Sequence, residues 1–391
     1  LRKLSLYYFF YYLAASSFGP YISIYLSEKG ISLISIGLIL SMLSLTGILA
    51  QPIMGILNDR LSDPRRIVLL CLLLMPVFAL GYYYFDTVIA LCLVSFFYAM
   101  FQSSSAPLSD VLTVEIANSQ GFSFGSIRLW GALSFALGSF ITGFVYGKVG
   151  YGASFISYAL LMVLALVTFY TVPYKAVTRA KVSLKQHAAQ ILRHQSFLTF
   201  VLFSFLIATS IAINFNFLPI YFKEAGFNKG WIGTAYSIAA IIEVPMFWFA
   251  VKLHRRFGLI PMMMLAALCY SVKCLVMAFS TQMGLVLAVQ LFDGIAFAFM
   301  ASASVEVINR YAPSYAKATY QTLFVALTSG IGGIIGSALG GVVISHWGVN
   351  KLYLFMFSLC FIALAGFTAR RKQLEPRPDR PVKLEGEAIP S

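Results

Sequence analysis

The chain has 391 residues, of which 60% are hydrophobic and only 11% charged. A soluble domain carries about 25% charged residues to cover its surface, so the composition excludes an ordinary water-facing protein and points to a bilayer. The net charge of +14 does not indicate nucleic acid, because the basic residues stand in short clusters between apolar segments, the pattern of membrane topology. Five cysteines, Cys71, Cys92, Cys269, Cys274 and Cys360, all lie in apolar runs without CxxC or histidine pairing. They read as small buried hydrophobes, not as a disulfide framework or a metal site.

A membrane-crossing helix needs roughly 20 mainly apolar residues. In chain order the candidates are 4–26, 32–57, 67–85, 87–117, 122–147, 151–173, 197–222, 230–251, 259–279, 283–308, 317–345 and 350–369. These twelve are too long and too uniformly apolar for barrel strands. The first run continues without a small-residue cleavage site, so no cleavable signal peptide is expected. The polar stretch 174–196 reads as a cytoplasmic linker that can lie on the lipid surface as an amphipathic helix. The charged, proline-bearing tail 370–391 is expected to be disordered.

Lys and Arg set the orientation. With both termini in the cytoplasm, 21 of the 28 basic residues fall on the inside, five on the outside (Lys29, Lys148, Lys223, Lys229, Lys351), and Arg128 and Lys273 fall within spans. That asymmetry predicts an even number of spans and cytoplasmic termini.

Ile24-Tyr-Leu-Ser-Glu-Lys-Gly30 followed by Ile36-Gly37 recurs as Ile220-Tyr-Phe-Lys-Glu-Ala-Gly226 followed by Ile232-Gly233, at a constant offset of 196. The repeat predicts a duplicated six-helix unit, residues 1–173 and 197–369, with a substrate site between the halves near the midplane. At the end of the second span, Gly55-Ile-Leu-Asn-Asp59-Arg60 resembles the loop signature of the major facilitator superfamily. The second glycine of that signature is Ser62 here, and Asp63-Pro64 is inserted before the basic pair. The resemblance implies a conformational role for Asp59 and Arg60.

Seven ionisable residues lie within the spans: Asp110, Glu115, Arg128, Glu243, Lys273, Asp293 and Glu306. Each costs about 3 kcal/mol at the bilayer centre on insertion scales, so such groups face a cavity, a partner or a pathway. Glu115 and Glu306 lie near cytoplasmic ends and read as interfacial. Asp110 and Arg128 face each other across the hairpin of spans four and five, about 10 Å from the cytoplasmic face, and are expected to form an ion pair. Glu243, Lys273 and Asp293 stand near the midplane of spans eight, nine and ten. One lysine between two carboxylates leaves one acid to carry a proton in some states, because burial disfavours the charged form. Uncharged site candidates are Tyr7, Tyr11, Asn214, Asn216, Tyr236, Gln290 and Gln321. Gly332, Gly336 and Gly340 repeat at helical spacing in span eleven and predict close helix approach.

Ser105-Ala-Pro107-Leu-Ser-Asp110, followed by Phe124-Gly125-Ser-Ile-Arg128-Leu-Trp130-Gly131, is similar to the branch of that superfamily holding the 3-phenylpropionate permease, the nucleoside:proton symporters and the lactose permease. The resemblance implies an all-α fold of twelve transmembrane helices in two pseudo-symmetric bundles, a monomer, and a place in the cell (inner) membrane. It implies substrate contacts for Asp110, Arg128 and Glu243, a basic role for Lys273, and a coupling role for Asp293. The lactose permease's proton-carrying glutamate is matched by Ala296 and its sugar-stacking tryptophan by Phe135, which argues against a β-galactoside. Span five also lacks the Gly-Pro signature associated with drug/proton antiporters.

The expectation is a secondary active transporter, a proton-coupled symporter importing an aromatic acid, nucleoside or sugar-like solute by alternating access. Substrate would meet Asp110, Arg128, Glu243, Asn214 and Phe135. Coupling would use Asp293 first, then Glu243, with Lys273. A facilitative carrier or antiporter of the same fold is the alternative. A membrane-embedded enzyme or receptor is distant from the pattern, since His187, His194, His254 and His346 offer no catalytic or metal constellation. No cofactor is called for.

Overall fold

The computed structural model describes residues 2–61, 63–173, 194–280, 282–313 and 316–375, without the side chains of residues 59, 60, 251, 255 and 318. The expected linker helix and most of the expected tail lie outside the described residues. So do the side chains of Asp59 and Arg60, which end the second span.

Among the described residues ten helical runs are long and apolar enough to cross a membrane, and local chain chemistry reconciles that number with twelve spans. The first span is interrupted: Arg2–Phe18 gives way to a 3-10 turn at Gly19–Tyr21 and resumes as Ile22–Glu28. Pro20 lacks the N–H that would continue the hydrogen-bond ladder. At the other end, one helical run from Gly332 to Ala369 holds parts of two spans, divided at Gly348, whose φ of 77° is open to glycine. The remaining spans are Leu33–Arg60, Arg65–Tyr84, Val88–Ser119, Phe124–Val149, Ala153–Tyr170, Gln195–Glu224, Trp231–Phe257, Leu259–Phe279 and a tenth in two pieces, Met283–Ala288 and Gln290–Tyr311. The eleventh begins as Lys317–Val325 and passes through a π-helical stretch, Ala326–Ile331, before Gly332.

Short connections make successive spans antiparallel. Spans one to six pack mainly on one another, as do seven to twelve, giving two bundles. Their outer faces present Ile53, Leu73, Ile89, Leu160 and Trp347 outward. No water-facing surface would leave such a belt uncovered, whereas lipid solvates it at no cost.

The bundles meet along two helix pairs, span two with span eleven and span five with span eight. Both meetings depend on a repeat glycine. A Cβ on Gly37 would stand 2.5 Å from the Ser337 carbonyl and 3.2 Å from Gly341 Cα; one on Gly233 would stand 1.9 Å from the Ser139 carbonyl and 2.8 Å from Gly143 Cα. The two glycines are 196 residues apart, and their partners Ser139/Ser337 and Gly143/Gly341 are each 198 apart. The same crossing is therefore built twice. Lys229 pairs with Glu28, and Lys223 donates to Ser27 Oγ at 2.8 Å, closing the same end of the molecule, opposite the termini. The other repeat glycines, Gly30 and Gly226, have φ of 85° and 71° where spans one and seven end, a left-handed turn that side chains resist.

Candidate transport site

The charged residues picked out along the chain form one group in each bundle, Asp110 with Arg128 and Glu243 with Lys273 and Asp293. Lys273, fully buried on span nine, donates to Asp293 Oδ1 on span ten at 2.6 Å. Asp293 is drawn close to span eight by its neighbour Gly294, where a Cβ would come within 2.3 Å of the Ala239 carbonyl and 3.1 Å of Glu243 N. Glu243 thus stands beside the pair without joining it. Among the described residues its carboxylate has no hydrogen bond or ion pair. The charged groups whose fields reach it are Arg128 from the opposite bundle and Asp293 from its own.

The expected ion pair between Asp110 and Arg128 is not formed. Asp110 Oδ1 accepts from the Tyr8 hydroxyl, while the Arg128 guanidinium lies 4.0 Å from the centre of the Tyr12 ring and 5.9 Å from that of Tyr8. Two side chains of span one, a helical turn apart, intervene between acid and arginine. A guanidinium over an aromatic face gains electrostatic attraction without losing its donors. The arrangement depends on Gly131, where a Cβ would meet Tyr12 Cδ2 at 2.6 Å and Arg128 Nη1 at 2.9 Å. Among the described residues no carboxylate lies within ion-pair distance of Arg128, so its donors are free for an anion. Phe135 follows two helical turns later on the same face, half-buried.

Tyr8, Tyr12 and Gly131 are site residues that sequence reasoning passed over in favour of Tyr7 and Tyr11. Those two are buried, Tyr11 bonded to Ser105 Oγ at 2.6 Å. The i,i+4 pairing of Tyr8 with Tyr12 and the glycine three residues after Arg128 were the available signals. The asparagines also divide. Asn214 is buried and accepts from the Tyr353 hydroxyl at 3.2 Å, so it is not brought to the charged set. Asn216 is half-buried and donates to Ser337 Oγ at 2.8 Å. Glu306 pairs with Arg310 one turn along its own helix. Gln290 is fully buried, with Nε2 on the Val286 carbonyl where the tenth span breaks.

A cavity of about 290 Å³ is walled by spans two, seven, ten and eleven. Leu40, Leu43, Ile211, Phe215, Phe297 and Met300 give it an apolar lining, with Ser44, Asn216 and Ser329 as polar members. Ser329 belongs to the π-helical stretch, a distortion that recurs at functional sites. Phe297 is one turn from Asp293, and the Phe215 carbonyl accepts from Tyr236 at 2.6 Å, two turns from Glu243. The cavity and the charged group of the second bundle thus share span ten, through Phe297 and Asp293.

A family model described as "MFS_1 like family" matches residues 1–355. The chain belongs to that family. It is 26% identical to a maltose permease of Geobacillus stearothermophilus over 91% of each chain. It is 28% identical to a probable 3-phenylpropionic acid transporter of Escherichia coli K12, over 74% of this chain and 77% of that one. The structure superposes on the crystal structure of the nucleoside transporter NupG with a TM-score of 0.82, at 19% identity, covering 95% of this chain and 98% of the other. The family member described here is a multi-pass membrane transporter with the major facilitator fold, not an enzyme.

Proposed function

We propose that this transporter is a proton-coupled symporter that imports a small organic solute across the inner membrane by alternating access, with both termini in the cytoplasm. Residues 1–173 and 197–369 act as the two moving units, joined by the 174–196 linker and followed by the 370–391 tail, and Asp59 and Arg60 brace the cytoplasmic end. Substrate binds between the bundles against Asp110, Arg128 and Glu243, with Phe135 below Arg128 and Asn214 supporting span seven from behind.

One observation carries the coupling: among the described residues Glu243 is the midplane carboxyl without a cation in contact, and the field of Arg128 reaches it from the opposite bundle. A carboxylate in that position is costly until it takes a proton or a cation approaches. The groups facing it are Arg128 on span five, Asp293 on span ten with its partner Lys273, and Tyr270 on span nine. Asp293 already has Lys273, so the proton belongs first to Glu243, and the Lys273–Asp293 pair responds when Glu243 changes charge. When Glu243 is neutral, Arg128 is left to the substrate; when substrate departs, Glu243 regains an attractive cation and releases its proton.

Uptake into proteoliposomes tests this, with 3-phenylpropionate, maltose and uridine as probes and protein-free vesicles as the control. The wild type should accumulate one probe under an inward proton gradient. Glu243→Gln should lose that accumulation yet still exchange labelled for unlabelled probe. Accumulation by Glu243→Gln would remove the proton from Glu243, and wild-type uptake indifferent to the gradient would make the protein a facilitative carrier.

A further inference from the structure

The outer face of the first bundle is not uniform. Between spans three and six runs a groove of about 520 Å³. Span three contributes Arg66, Leu69, Leu70 and Leu73, at the i, i+3, i+4, i+7 spacing that puts four side chains on one helix face. Span six contributes Leu166, Val167 and Tyr170 from near its end. Leu70, Leu73, Val167 and Tyr170 are exposed, so the groove opens outward to lipid. From Arg66 to Leu73 it runs for about 10 Å, a third of the hydrocarbon core, at 1.5 Å per residue. An acyl chain lies along such a slot with its headgroup at the Arg66 end.

Apolar walls alone select nothing, because the chains of every membrane lipid solvate them equally. Selection comes from the mouth. Tyr170 stands there, 73% exposed, at the depth where aromatic residues meet headgroups. The carbonyls just beyond span six would repel an anion, but two of them are already bonded. Lys3 Nζ donates to the Thr171 carbonyl at 2.9 Å, and the Arg65 guanidinium to that of Val172 at 2.8 Å. Arg65 also holds both oxygens of Asp63, at 3.0 and 2.8 Å, so the carboxyl that feels the field of Arg66 is already paired. Among the described residues Arg66 itself has no ion pair and no side-chain hydrogen bond. It stands in the first turn of span three, where the helix dipole adds to its charge. The fold does not require that charge: the repeat offset of 196 to 198 puts Met262, Met263 or Met264 at the same place in the second half.

We infer that this groove is a binding site for a phospholipid with a net negative headgroup, one acyl chain between spans three and six and its phosphate on Arg66. The lipid belongs to the leaflet on the side of the termini. A phosphate presents oxygens that the planar guanidinium fork matches, and Lys3 and Arg65 add to the local field. A zwitterionic lipid carries its own ammonium beside the phosphate and gains less from the same cations. Each cation near the headgroup favours an anionic lipid by about fivefold.

Fluorescence quenching by brominated lipids tests the site on the full chain in vesicles. Tyr170→Trp places a reporter at the mouth of the groove. The unsubstituted chain, whose four tryptophans lie on other spans, supplies the background to subtract. The probes are phosphatidylglycerol and phosphatidylethanolamine with identical acyl chains, mixed in one bilayer and brominated in one or the other. The introduced tryptophan should prefer phosphatidylglycerol roughly fivefold or more. Arg66→Gln should bring that preference close to unity, while Arg66→Lys keeps most of it. Glycerol phosphate in the medium, the head without the chains, should leave it unchanged. Equal quenching by the two lipids would make the groove ordinary lipid boundary and overturn the site. An equal preference at the background tryptophans would overturn it too, by showing a general attraction of anionic lipid to this end of the molecule. A preference that survives Arg66→Gln would overturn the placing of the headgroup on Arg66. Relief of quenching by glycerol phosphate would overturn the lipid assignment in favour of a soluble anion.

Discussion

Lys223 donates a hydrogen bond to Ser27, and the two residues are 196 positions apart, which is the offset of the internal repeat. Each is the repeat counterpart of the other. A residue can touch its own counterpart only where the pseudo-twofold axis between the bundles passes, so this contact marks the axis at the end of the molecule opposite the termini. The Glu28–Lys229 pair and the two glycine crossings surround it.

The crossings are the parts of that seal that cannot yield. A side chain on Gly233 or Gly37 would have to occupy space held by the backbone of Ser139 or Ser337, and backbone cannot step aside as a side chain can. Replacing both glycines with valine should hold this end open. The check is alkylation of a cysteine placed at position 135, on the Arg128 face of span five, by a membrane-impermeant reagent added from that side. Labelling should rise severalfold in the double variant, with transport lost. Unchanged labelling would mean that the halves separate elsewhere.

Gly131 should matter as much as the arginine it accommodates. Gly131→Ala puts a methyl group where Tyr12 and Arg128 now lie and forces the guanidinium off the ring. Probe affinity should fall roughly tenfold or more, consistent with loss of a cation–π contact and of pre-positioning, while the helix itself is favoured by alanine over glycine. Thermal stability held or raised alongside weakened binding is the expected signature. A loss of stability equal to the loss of binding would make Gly131 a packing residue.

At the end of the molecule that carries the termini, the third and sixth helices of each half are tied, and with opposite polarity in the two halves. In the first, the Arg65 guanidinium donates to the Val172 carbonyl at 2.8 Å. In the second, the carboxylate of Glu375, just beyond span twelve, accepts from Leu259 N at 2.8 Å and Ile260 N at 3.2 Å. An acid at a helix start satisfies donors that the helix leaves open, worth about 1–2 kcal/mol. Glu375→Ala should lower the melting temperature by a few degrees, on the order of 2–4 °C per kcal/mol, and Glu375→Gln by less. On the other strap, Arg65 bonds hold the Asp63 carboxyl below its ordinary value. A depressed acid contributes stability that is complete above its unfolded value near 3.8 and is lost as pH falls through the lower folded one. The Arg65→Ala shift should therefore be the same at pH 5 and pH 7; a shift that differs between them would place another titrating group in the strap.

Much of this protein was legible before any coordinates. Partition between water and lipid accumulates residue by residue, so composition and run length alone determine that the chain spans a membrane many times, where the spans fall, and that ionisable groups at 110, 128, 243, 273 and 293 must face the interior. The repeat told of two related halves, and its glycines proved to be the turns and closest approaches of the fold. Which side chain meets which was not legible. Asp110 and Arg128 were the obvious partners by depth, yet span one rotates Tyr8 and Tyr12 between them. Asn214 and Asn216 differ by two positions, and helix rotation sends one to Tyr353 and the other to Ser337. Glu375 reaches a helix start more than a hundred residues earlier. Rotation and tilt are decided by packing among all twelve helices at once, a cooperative property of the tertiary structure. Among the described residues, the same packing leaves Glu243 without the cation that Asp293 received.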